Sequence, residues 1–105
     1  MSVIVTIGVN GDPGQLEEYA NKHPQVMRAI ADQALEHGLI AHRFYGADGG
    51  RLLVIDEWPD AESFQTFFDL AQGEIGPLLE AAGATSGPEV TFWRTLETHD
   101  EVGWD

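Results

Sequence analysis

The sequence contains no cysteine, which excludes disulfides, thiolate nucleophiles and zinc or iron–sulfur sites built on sulfur. Bases are nearly as scarce. Five Lys and Arg stand against 18 Asp and Glu, a formal net charge of −13, and charging all four histidines would leave the balance strongly negative. The bases are Lys22, Arg28, Arg43, Arg51 and Arg94, and they form no cluster. Phosphate backbones are held by basic patches that release counterions, so nucleic acid is not an expected partner. Anionic membrane surfaces are disfavoured on the same ground. No apolar run approaches the ~18 residues of a membrane-spanning helix. The opening Met1-Ser2-Val3-Ile4-Val5 lacks a basic segment and reads as a strand, not a secretory signal. The expected compartment is the cytoplasm, and the acidity reads as a solubility device.

What is present is one ordinary globular composition. At 105 residues the expectation is a single domain over residues 1–105, which buries roughly two-thirds of its unfolded surface. Val3 to Val9 is β-branched and reads as a buried strand. Asp12 before Pro13 starts a helix, because proline is tolerated at the first helical position. Apolar residues then recur at spacings of three and four from Leu16 to Leu35, one amphipathic face. Pro24 kinks or splits that helix, and Gly38 ends it. Leu39–Tyr45 is a second strand, residues 46–50 a hairpin loop, and Arg51–Trp58 a third strand. Asp60 caps a second helix with Phe64, Phe67, Phe68 and Ala71 on its inner face. Gly73 and Gly76-Pro77 interrupt it, with a short restart at Pro77. Glu89–Leu96 is the last strand, followed by an acidic tail that carries Trp104, expected to dock on a partner subunit.

The order β-α-β-β-α-β predicts an α+β, ferredoxin-like βαββαβ fold. Its four-stranded antiparallel sheet carries helices on one face. Both parities of the strands hold large apolar residues, so the bare face needs cover, and a homodimer joined through the sheets would supply it.

The run Val54-Ile55-Asp56-Glu57-Trp58-Pro59-Asp60-Ala61-Glu62-Ser63-Phe64-Gln65-Thr66-Phe67-Phe68 resembles the dimeric α+β-barrel proteins, especially the antibiotic-biosynthesis-monooxygenase-like group. Strand, Glu-Trp, short turn and aromatic-spaced helix are similar to that group, as is the break at Gly76-Pro77. The resemblance implies a cofactor-independent monooxygenase-like enzyme acting on a small aromatic or polyketide-like molecule. The group also includes haem degraders, isomerases and proteins of no known activity. Haem-degrading members carry a tryptophan and then a histidine on the second helix. Here the tryptophan position is occupied by Phe67 and no histidine occurs from Phe64 to Gly83, so haem degradation is not implied.

Pairing Tyr45 with Arg51 across the hairpin sets His42 against Val54 and Ile40 against Asp56. One face then holds Ile40, His42, Phe44, Leu52, Val54, Asp56 and Trp58, and its apolar character assigns it to the pocket under the helices. His42 and Asp56 become diagonal neighbours, roughly 7–8 Å apart at the backbone. Such a pair is a candidate catalytic dyad: Asp56 orients the imidazole and His42 takes a proton from an acidic carbon or phenol. Trp58, Phe64, Phe67 and Phe92 are the candidate substrate-binding walls. No metal site is expected; His37 and His42 lack a third ligand. Arg43, Arg51 and Arg94 are expected to pair with surplus acids. A second reading stays open, in which His42 and Asp56 are hydrogen-bonded core residues. The protein would then be a non-catalytic homodimeric ligand-binding or stress-related protein.

Overall fold

A computed structural model describes residues 1–103; Trp104 lies outside the described residues. Three acidic or proline signals place the helices where the sequence puts them. The Asp12 side chain accepts from the backbone N–H groups of Gly14 and Gln15, starting α1 (Pro13–Lys22). Pro24 splits the first helical segment rather than kinking it. It opens α2 (Pro24–Glu36) at a position where its missing N–H loses no helical bond. Asp60 accepts from the Ser63 N–H and starts α3 (Ala61–Leu70).

The strands are β1 (Val3–Asn10), β2 (Ala41–Ala47), β3 (Arg51–Trp58) and β4 (Glu89–Trp93). They form one sheet in the order β2-β3-β1-β4 with every neighbouring pair antiparallel, which is the ferredoxin-like plan. Side chains of alternate parity meet the helices. Val5 and Val9 of β1 and Leu52, Val54, Asp56 and Trp58 of β3 are all buried there. Two clusters fill the space. One gathers Val5, Ala34, Trp58, Phe64, Phe67 and Ala71. The other gathers Val9, Leu16, Leu52, Leu78 and Ala82.

Four local expectations are corrected. The hairpin loop is shorter than residues 46–50: Ala47 pairs with Arg51, leaving Asp48-Gly49-Gly50 as the turn. Gly49 and Gly50 sit at φ 88° and 78°, a left-handed pair that lets the chain reverse over three residues. Gly46 lies in the strand opposite Leu52, close against the Pro13 ring, from which a Cβ would fall 2.8 Å. The last strand ends at Trp93, not Leu96. Pro77 does not restart a helix but lies inside α4 (Gln72–Ala81), and the break falls earlier, at Ala71. Gly76 permits this, since a Cβ before proline would strike the ring in helical geometry. Ile40 precedes β2 and is 55% exposed, while Leu39 turns inward in its place.

Candidate functional site

Alternation along β3 sends Asp56 and Trp58, two residues apart, to the same face. Asp56 is the one buried charged residue among those described, 4% exposed. The pairing differs by two residues from the expected one, so His42 lies directly opposite Asp56 rather than diagonal to it. A slip of two preserves the face of every side chain. On the other flank of Asp56 lies Val5 of β1, which is fully buried.

The His42 Nδ1 stands 2.6 Å from Asp56 Oδ1. The Trp58 indole donates its Nε1–H to Asp56 Oδ2 over 3.1 Å. Both carboxylate oxygens are thereby engaged, and no buried side-chain polar atom among the described residues lacks a partner. A carboxylate only accepts, so it holds the imidazole proton on Nδ1 and leaves Nε2 as the acceptor. Phe44 meets the His42 ring edge-on at 5.2 Å.

These groups border a cavity of about 80 Å³ between the sheet and α2, α3 and α4. Met27, Ile30, Ala31 and Ala34 come from α2, Phe67 and Phe68 from α3, and Ile75, Leu78 and Leu79 from α4. The sheet side is Ile7, His42, Phe44, Val54 and Asp56, with Leu39 at the strand entry. His42 and Asp56 are its only titratable groups. With 34% of its side chain exposed, His42 stands at the mouth. The expected walls separate. Phe67 lines the cavity. Trp58 and Phe64 are fully buried behind it, their rings 5.8 Å apart and edge-on. Phe92, 43% exposed, packs on Phe64 at 5.7 Å away from the cavity. The contribution of α2 and α4 was not singled out as pocket wall, although their spacings of three and four were the available signal.

Other candidates lie elsewhere. The His37 ring nitrogen Nδ1 is 2.9 Å from the Gln33 carbonyl at the end of α2. Among the described residues no three of His, Cys, Asp and Glu gather as a metal site requires, and no helix is long and apolar enough to cross a membrane. Arg43, Arg51 and Arg94 make none of the ion pairs found among the described residues, contrary to expectation; those join Lys22 to Glu18, Arg28 to Asp32 and His42 to Asp56. Arg43 and Arg51 project from the face away from the helices, where few acids stand. Shifted ionisations belong to exposed groups. The Ser63 backbone N–H holds the Asp60 carboxyl below the usual carboxylate range, and the Glu18–Lys22 hydrogen bond and charge lower Glu18 and raise Lys22.

No protein-family model and no curated protein matches the sequence. Solved structures do match. A dimeric ferredoxin-like protein from an uncultured marine organism superposes with TM-score 0.65 at 14% identity, covering 96% of this chain and 93% of that one. An antibiotic biosynthesis monooxygenase gives TM-score 0.61 at 13% identity over 90% of this chain and 99% of that one. SnoaB, a cofactor-independent oxygenase from Streptomyces nogalater, gives 0.56 at 20% identity over 95% and 97%. The chain has the ferredoxin-like fold shared by the antibiotic-biosynthesis-monooxygenase-like proteins.

Proposed function

We propose that this chain is a cofactor-independent oxygenase-type enzyme in which His42 deprotonates a small, largely apolar substrate bearing one acidic hydroxyl or C–H. The observation that carries the reading is the cavity's composition: a half-exposed His42 oriented by a buried Asp56, in a lining otherwise made of hydrocarbon. The acidic group of the substrate meets His42 Nε2 at the mouth and the ring fills the apolar interior. Asp56 stabilises the imidazolium that forms. The deprotonated substrate supplies all four electrons to O2: it loses two hydrogens in all, one oxygen atom stays on carbon as a carbonyl (a CH2 becomes C=O, a phenol a quinone), and the other leaves with both hydrogens as water. The fold shared with SnoaB, a cofactor-independent oxygenase, supports this choice of chemistry.

The cavity volume limits the substrate. About 80 Å³ holds several waters at the ~10–15 Å³ each requires but is about half the ~150 Å³ of an apolar cavity that takes benzene, so a single ring enters only as α2 and α4 give slightly and a fused polycycle requires them to part. The same narrowness favours a second reading, a non-catalytic homodimer whose cavity takes a small hydrophobic ligand. Oxygen uptake with a panel of phenols and 1,3-diketones separates the two. Turnover that falls ~100-fold or more in His42→Ala, with the circular dichroism unchanged, supports the enzyme. Uptake that survives this substitution, or none with any compound, returns the protein to the binding reading.

The working form is a homodimer joined through the bare sheet face. Tyr45, Leu53 and Trp93 are 45%, 36% and 53% exposed there, and no atom lies within 4 Å of where a Gly8 Cβ would stand. An exposed apolar face of this kind is normally covered. Light scattering at micromolar concentration reads the mass; a monomer there would sink the dimer.

A further inference from the structure

Trp58 was expected to be a wall of the pocket, yet its ring is fully buried and reaches the site only through its N–H. We infer that Trp58 is a positioning residue, whose indole N–H pins Asp56 so that His42 keeps its proton on Nδ1 and presents a bare Nε2 to the cavity.

The two donors approach different oxygens of one carboxylate, His42 Nδ1 at Oδ1 and Trp58 Nε1 at Oδ2. A carboxylate bonded to His42 alone could turn about its terminal bond, since such torsions are broad, and a turn that swings its oxygens out of line with His42 Nδ1 would release the proton held there. The indole removes that freedom. It is itself held by Phe64 edge-on at 5.8 Å and Phe67 at 5.4 Å, both in the same buried cluster. The chemical type of the donor matters as much as its place. An indole N–H satisfies a buried oxygen without cancelling its charge, whereas a guanidinium would neutralise Asp56 outright. Among the described residues no Lys or Arg pairs with Asp56, and no titratable group besides His42 and Asp56 lines the cavity. The carboxylate's charge is therefore reserved for an imidazolium formed at His42. The reach of Trp58 follows from sequence parity, because residues 56 and 58 of one strand share a face.

This inference rests on the reading of His42 as the base of the site, but its test concerns the resting protein and is independent of turnover. The full chain, labelled with 15N, is examined by NMR at neutral pH, where the two imidazole nitrogens report the tautomer. In the wild type a neutral His42 ring is expected as the Nδ1–H form. Trp58→Phe is expected to shift the tautomer ratio by about tenfold toward Nε2–H, the scale of one charge-assisted hydrogen bond lost. Val9→Ala, which loosens the neighbouring core cluster away from Trp58 and from the cavity lining, is expected to leave the ratio unchanged. An unchanged ratio in folded Trp58→Phe overturns the inference, and so does an equal shift in Val9→Ala, which would make the role of Trp58 merely structural. Should Trp58→Phe fail to fold, the wild-type indole protons decide. Trp58, bonded to a buried carboxylate, is expected further downfield and slower to exchange than Trp93, bonded to the Thr6 hydroxyl at the open face. The reverse order overturns the inference.

Discussion

The two faces of one sheet use the same strands for opposite purposes. Toward the helices, β1 and β3 present Val5, Val9, Leu52, Val54, Asp56 and Trp58, all buried. Away from them the intervening residues Thr6, Gly8, Arg51, Leu53, Ile55 and Glu57 remain accessible in varying degree. The single buried charge lies on the covered face and is fully hydrogen-bonded. The open face keeps its arginines at the strands' exposed side without intramolecular ion pairs among the described residues. Polar groups are tolerated on the covered face only in a closed network, because an unsatisfied buried group costs about 1–3 kcal/mol. On the open face of a single chain water satisfies them at no such cost. The proposed chemistry accordingly falls on the covered face and the proposed association on the open one.

Substitutions on either face sharpen or break this division. The largest effect is expected at Phe64, which contacts Trp58, Phe68 and Phe92 and has no exposure. Phe64→Ala should remove about 3–5 kcal/mol in urea unfolding. A loss below about 1 kcal/mol would show that the covered face is not a packed core. Next comes Asp56→Ala. It strips His42 and Trp58 of their shared acceptor and should cost about 1–3 kcal/mol, measured by the same denaturation. Leu53→Glu on the open face should instead leave unfolding of the monomer nearly unchanged and weaken the dimer by ~10–100-fold, a hot-spot-sized effect, read by sedimentation across a dilution series. If Leu53→Glu unfolds the chain, the open face is structural and the comparison fails. The smallest effect belongs to neither face. Asp60 at the start of α3 has a folded carboxyl held below its ordinary range. Its contribution is complete above the ordinary carboxylate range and is lost as pH falls through the lowered folded value. Asp60→Asn, which keeps a capping acceptor, should flatten that acid-side slope slightly in thermal melts while sparing neutral pH.

Much of this was legible in the residues. Acidic caps at Asp12 and Asp60 and prolines at 13 and 24 mark helix starts by a mechanism that acts within one turn. The alternation of β3 separates the faces, and so places His42 with Asp56 even though the expected pairing was two residues away. Misreadings cluster where distant groups intervene. Gly46 reads locally as a loop residue, yet it lies within β2 with Pro13 against it, where a Cβ would fall 2.8 Å from the ring. Pro77 reads locally as a helix start, yet α4 runs through it with Leu78 buried against Leu16 and Leu52. Phe92 reads as a pocket aromatic, but β4 lies at the sheet edge and its ring packs edge-on against Phe64 outside the cavity lining.

The sequence by itself determined the element order, the faces of the strands, the strong negative charge and the absence of sulfur chemistry. Each is a local or additive property: a two-residue period, a cap within one turn, a count of charges. The tertiary structure decided which atoms meet. The direct opposition of His42 and Asp56, the indole N–H on the second carboxylate oxygen and the narrow cavity between three helices and the sheet depend on register and packing. Those are set by contacts far apart in the chain, such as Pro13 on Gly46 and Phe92 on Phe64, and a close-packed interior transmits them to the site.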